Sequence, residues 1–165
     1  MTPLDQQTTS RVMQLADHLL AEGVHDICSK DRRTLRLARV RPLIQPDGLA
    51  FLFAAGLLDR PERHSFRPMM HFIVQDNRGD ANAKRKLVIY PAFYRDDIDK
   101  VYQESATIKG PFIVAEDKYL QTIHAQIAHD WLEHLHARGY LSLQRTRFHS
   151  IIKNRNTCHF HFSNP

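Results

Sequence analysis

Between residues 30 and 41 the chain carries Lys30, Arg32, Arg33, Arg36, Arg39 and Arg41 against a single acid, Asp31. This short stretch alone holds as much charge as the net +5 of all 165 residues. Arginine offers a fixed charge and a planar fork of donors, which suits phosphate oxygens. On a helix, Arg32, Arg36 and Arg39 would share one face, with Arg33 beside them. Two further basic groups follow: Lys84, Arg85 and Lys86, and then Arg145, Arg147, Lys153 and Arg155 with no acid among them. The chemistry expected of such clusters is the gripping of nucleic-acid phosphates, with DNA ahead of RNA. Phosphate contacts position a partner without reading its sequence. An acidic protein surface would suit the same arginines, with Tyr94, Tyr102 or Phe148 as anchors. The plainest alternative is a solvated helix face with local ion pairs.

Histidine is also abundant, at eleven residues. His124, His129, His134 and His136 fall in one helical segment, and His159 and His161 alternate near the C-terminus. Zinc needs three or four converging ligands. His129 and His134 diverge on a helix and no HExxH is present, so no metal site is assigned. Protonation below about pH 6.5 would add positive charge. Asp47, Glu116, Asp117 and Lys118 have the residue types of a metal-dependent nuclease site, but each carboxylate reads better as a helix start. Asp96, Asp97, Asp99 and Glu104 read as a capped surface helix. Nothing matches a phosphate-cradling glycine loop, a nucleophile elbow or a dinucleotide fingerprint. The expectation is a non-enzymatic protein without cofactor or metal.

The elements that must position these residues follow from periodicity. Val12, Leu15, Ala16, Leu19 and Leu20 predict a helix over Ser10–Glu22, stopped by Gly23. A second helix is expected from Ser29 or Asp31 to Val40, bounded by Pro42. A third, strongly apolar one is expected over Leu49–Leu58 behind Pro46-Asp47-Gly48. Met69–Val74 and Leu87–Tyr90 read as strands joined by a polar turn, a central β-hairpin. Pro91 should end its second arm. A short helix over Asp96–Glu104 and a short strand over Phe112–Val114 come next. Leu120, Ile123, Ile127, Trp131 and Leu135 define a long amphipathic helix over Asp117–Arg138, ended by Gly139. Tyr140–Arg147 and the alternation of Cys158, Phe160 and Phe162 with His159 and His161 read as two strands.

The fold class expected is therefore α+β. N-terminal helices precede a central hairpin, and a long C-terminal helix packs on an antiparallel hairpin in winged-helix-like order. One domain over residues 1–165 is expected, with a division into residues 1–62 and 63–165 as the alternative. Hydrophobic content of 42% and charged content of 25% are ordinary for a globular chain. Cys28 and Cys158 lie too far apart in sequence to suggest a disulfide framework, which points to a reducing, cytoplasmic setting. No secretory pattern opens the chain, and the longest apolar stretch is about half a membrane span, so no membrane partner is expected. Exposure of an apolar face on the first helix or on Leu49–Leu58 would favour a homodimer.

Overall fold

The computed structural model describes residues 1–17, 24–28, 33–45, 48–60, 65–78, 81 and 87–141. In chain order they form α1 (Gln6–Ala16), β1 (Val24–Cys28), β2 (Thr34–Gln45), β3 (Gly48–Arg60), β4 (Ser65–Asp76) and β5 (Leu87–Asp96). These are followed by β6 (Val101–Glu104), β7 (Ala106–Lys109), β8 (Phe112–Glu116) and α2 (Lys118–Ala137). One large mixed sheet of eight strands, not an α+β arrangement of helices and hairpins, is the framework. Among the described residues, no helix is long and apolar enough to cross a membrane.

Three expected helices are corrected. Residues 34–40 are strand because Leu35 and Leu37 are both fully buried while Arg36 between them points away. Apolar residues two apart belong to one face of a strand but not of a helix. Residues 49–58 are also strand. Leu52 to Leu58 are buried without a break, as expected where a central strand is covered on both faces. A short apolar run of this kind has no period that separates strand from helix. Residues 96–104 are a turn followed by β6, because the Asp96 carboxylate accepts from the amides of Ile98 and Asp99 and folds the chain back.

The helix before the sheet starts earlier than expected. Asp5 caps α1 by accepting from the amide of Thr8, so Thr9 and Ser10 become helical residues. The later positions of that prediction, Leu19 and Leu20, lie outside the described residues. α2 lies close to its expected bounds. Asp117 caps it by accepting from Leu120 N, and Gly139 leaves it at φ 82° with its amide donating to His136 O. Among the described residues α2 packs on β5 of the large sheet. The strands expected over 142–165, and with them the hairpin of the winged-helix order, lie outside the described residues.

The strands follow the order β6-β5-β4-β3-β2-β8-β7, with β1 pairing the first half of β2. All neighbours are antiparallel except β2 and β8. The two ends of this path, β6 and β7, are separated in the chain by Ser105 alone. The sheet therefore curls until its ends meet. Ser105 ties the seam: its amide donates to Ala92 O and its carbonyl accepts from Asp117 N, each at 2.9 Å. Pro91 does not end β5. It pairs with Phe72 while Phe93 pairs with His71, so the register shifts at Ala92. The bulge turns the Pro91 carbonyl toward the Ser105 hydroxyl at 3.2 Å and the Gln121 side-chain amide at 3.4 Å.

Each face of the sheet carries its own core. Leu37, Phe53, Met70, Phe72 and Ile89 pack with Val12 and Leu15 of α1 and Trp131, Leu132 and Leu135 of α2. On the opposite face Leu43, Leu52, Ile73 and Tyr90 pack under Ala106, Ile108 and Ile113 of the β7–β8 arm. Near its start α2 buries Gln121 and His124, because that turn faces the polar seam. With the Ser105 hydroxyl donating to Pro91, His124 Nδ1–H donates to Ser105 Oγ at 2.9 Å, and Nε2 faces the Gln103 amide.

Two substitutions test these contacts in urea unfolding. Ser105→Ala strips a buried partner from His124 and is expected to cost about 1–3 kcal/mol. Gly56→Ala places a Cβ 2.6 Å from the Phe66 ring and 2.9 Å from Met69 Cγ, and is expected to cost a similar 1–3 kcal/mol, roughly. Wild-type midpoints for both would contradict the packing described.

Candidate nucleic-acid interface

Of the thirteen basic residues singled out in the sequence, Arg33, Arg36, Arg39 and Arg41 are described. Lys30, Arg32, Lys84, Arg85, Lys86, Arg145, Arg147, Lys153 and Arg155 lie outside the described residues. The expected common helix face does not exist, because the segment is β2. Arg33 is exposed just before the strand, and its carbonyl accepts from the Tyr140 hydroxyl at 3.2 Å. Arg36 pairs across the ladder with Asp26, which it grips with two hydrogen bonds of 2.9 Å. Those hydrogen bonds hold its guanidinium pKa above the ordinary value. Arg36 thus serves the β1–β2 pair.

Arg39 and Arg41 are placed differently. Between them the register slips by one residue: Arg39 pairs with Phe53 and Arg41 with Leu52. Val40 is the extra residue of a bulge. Directly paired residues share a face, so Arg39 lies on the helix-covered face and Arg41 on the other. In an unbulged strand both would point the same way. The Arg39 guanidinium sits 4.4 Å from the centre of the Phe51 ring. Arg39, Val40, Arg41 and Pro42 are all exposed. β1 pairs β2 only as far as Ala38, and β8 pairs it only at Ile44. That edge of residues 39–43 has no strand partner among the described residues.

Register also brings together residues that the sequence reading did not select. His71 pairs with Ala54 on one side and Phe93 on the other, and Met69 pairs with Arg95. All lie on the face of Arg41. The rings of His71 and Phe93 are 5.0 Å apart. Burial pushes the His71 pKa down to about 4, helped by the positive charges of Arg95 and Arg41, so the ring is neutral at pH 7. Arg95 lies between the rings of Phe66 and Tyr102, at 5.7 and 5.6 Å, and is held by Asp97 at 2.6 and 3.0 Å. Burial pushes the Asp97 carboxyl up, but hydrogen bonds from Arg95, the Phe66 amide and Tyr102 outweigh it and leave its pKa lowered. A period-two signal was present: His71 shares a face with Met69 and Ile73, as Arg95 does with Phe93.

The acidic cluster is structural: Asp96 folds the turn and Asp97 fixes Arg95, while Arg67 lies 3.7–3.8 Å from Asp96 and Asp99. Arg36, Arg67 and Arg95 are thus matched within the sheet. Arg39 and Arg41 have no acidic partner among the described residues. Exposed apolar side chains gather along the same edge. Val40 is 47% exposed, Ile44 50% and its partner Phe112 52%. Leu49–Leu58, whose exposure would have favoured a dimer, lies in the middle of the sheet with Leu52 to Leu58 buried. Elsewhere, a shallow polar cleft of about 440 Å³ is lined by Gln6, Gln7, Ser10, Arg11, Gln14 and His136, but Arg11 is already paired with Glu133. Among the described residues no three His, Cys, Asp or Glu side chains converge as metal ligands.

No protein-family model, curated protein or solved structure matches the chain.

Two histidines set a pH dependence. Burial lowers His124 to about 4, as it does His71, against 6.5 for the unfolded chain. The unfolded state therefore binds more protons between these values. Their contribution is fully present above pH 6.5 and is lost as pH falls through 4. Urea midpoints should fall steadily from pH 7 to pH 4.5, with a slope of up to about 1.4 kcal/mol per pH unit for each proton. His71→Gln should flatten the profile, and a profile unchanged by that substitution would contradict the burial of a neutral ring.

Proposed function

We propose that the protein is a non-enzymatic, cytoplasmic nucleic-acid-binding accessory factor, with DNA ahead of RNA, that engages phosphates through the open edge of β2. The observation that carries this reading is the pair of exposed arginines, Arg39 and Arg41, set on either side of a bulge with no acid to neutralise them among the described residues. Arginines left unmatched where their neighbours are matched are the ones able to exchange counterions for phosphate oxygens. Arg33 extends the charge toward the start of the strand. The flanking rings of Phe51 and Phe93 and the neutral His71 suit a partner that combines charge with flat apolar surface.

A second reading draws on the same edge. An extended acidic peptide would add as a strand beside residues 39–43, using backbone hydrogen bonds for affinity and the arginines for charge. The two readings separate by whether partner binding survives nuclease treatment.

The test is fluorescence anisotropy with labelled DNA and RNA across a salt series. Affinity is expected to fall steeply with salt. The Arg39→Ala/Arg41→Ala double variant is expected to keep its urea midpoint and to lose about 0.7–0.9 of the log–log salt slope for each phosphate contact removed. Binding at low salt that the double variant leaves untouched would place the phosphates elsewhere, and no binding at low salt would end the nucleic-acid reading.

A further inference from the structure

We propose that the nucleic acid is single-stranded, its backbone crossing the open edge of β2 between Arg39 and Arg41 and a base lying on the exposed ring of Phe112. This inference rests on the nucleic-acid reading above and names the form of the ligand.

The geometry of the bulge separates a single strand from a duplex. Arg39 lies on the face of Phe53, and Arg41 on the face of Leu52. A partner touching both must pass over the edge and turn from one face of the sheet to the other. A duplex resists such a turn, since its persistence length is about 50 nm. It would meet one arginine and leave the other in water. A single strand bends freely at each phosphodiester and can place successive phosphates against both.

The edge also offers what an unpaired base requires. Phe112 pairs with Ile44 in the parallel ladder, and both are half exposed. From Arg41 to Ile44 is three residues, or about 10 Å along the strand. Next to them, Ile113 points into the core beneath the β7–β8 arm, so the chain that carries Phe112 is anchored although its ring is not. Stacking on such a ring requires a base face that is accessible, which a duplex hides within its own stack. The Arg39 guanidinium over Phe51 is a second flat surface on the same side of the sheet. Isolated solvation of Arg39 and Arg41 would not require rings beside them. The combination of cations unmatched and a strand edge unpaired among the described residues with a half-exposed phenylalanine suits the charge and the stacking surface of one strand.

The experiment compares labelled oligothymidylate, oligouridylate and a mixed-sequence duplex of equal length, bound to the whole chain at low salt. The single strands are expected to bind at least about tenfold more tightly than the duplex. Phe112→Ala, at an exposed position that costs the core nothing, is expected to weaken single-strand binding by about fivefold to a hundredfold and to leave the salt slope unchanged. The Arg39→Ala/Arg41→Ala variant is expected to lower the slope instead. Duplex binding as tight as single-strand binding, or a Phe112→Ala variant that binds like wild type, would overturn the proposal while leaving a nucleic-acid-binding protein. Failure of all three probes to bind would remove the broader reading and this one with it.

Discussion

The meeting of β5, β6, β7 and α2 at Ser105 is the constraint from which the remaining architecture follows. A sheet of this size has two free edges, and here its outermost strands are consecutive in the chain with one residue between them. The Ser105 backbone bonds to Ala92 on one side and Asp117 on the other, and its hydroxyl bridges Pro91 and His124. The Ser105 amide, carbonyl and hydroxyl and the His124 Nδ1 drawn into this seam are matched, as buried polar groups must be. Pro91 has a positive role in the seam. The bulge beside it turns consecutive carbonyls toward the junction, and Gln121 of α2 takes up part of the hydrogen bonding. Once the seam is drawn together, the β7–β8 arm must cross one face and α2 must return to the other.

Closure of that kind leaves little edge, and the gap that persists is informative. β1 and β8 both lie against β2, but they reach it from opposite ends and, among the described residues, leave residues 39–43 between them. An unpaired stretch of edge invites association with other chains, and charge together with a bulge is a common means of blunting it. Arg39, Val40 and Arg41 supply both. The same features make the gap a defined place on the described surface for an anionic partner, because Arg36, Arg95 and Arg67 of the sheet are spent on Asp26, Asp97, Asp96 and Asp99. Among the described arginines of β2, the unmatched charge therefore falls on Arg39 and Arg41.

How much of this is legible in the sequence depends on the element. α2 stands out because its caps, Asp117 and Gly139, agree with its apolar stripe. β4 and β5 are visible through β-branched and aromatic residues, and β8 through Phe112–Val114. The basic run misleads because arginines at 32, 36 and 39 match a helical face, while the buried partners Leu35 and Leu37 carry the opposing period of two. Burial decides between them, since an exposed arginine costs little in either form and a misplaced leucine costs a great deal. Leu49–Leu58 is ambiguous for a different reason: a strand covered on both faces has no polar side to reveal its period. The candidate site was only partly legible. Arg39 and Arg41 are visible as charge, but their divergence depends on the Val40 bulge, and the company of His71, Phe93 and Arg95 depends on register between strands.

The open edge of β2 is where we propose that this protein meets its partner. Backbone amide shifts of the isotope-labelled protein, followed by NMR during titration with oligothymidylate, provide the test. Progressive shifts centred on Arg39, Val40, Arg41, Ile44 and Phe112 are expected, with α1 unmoved. Shifts confined to the helices, or no shift at saturating oligonucleotide, would contradict it.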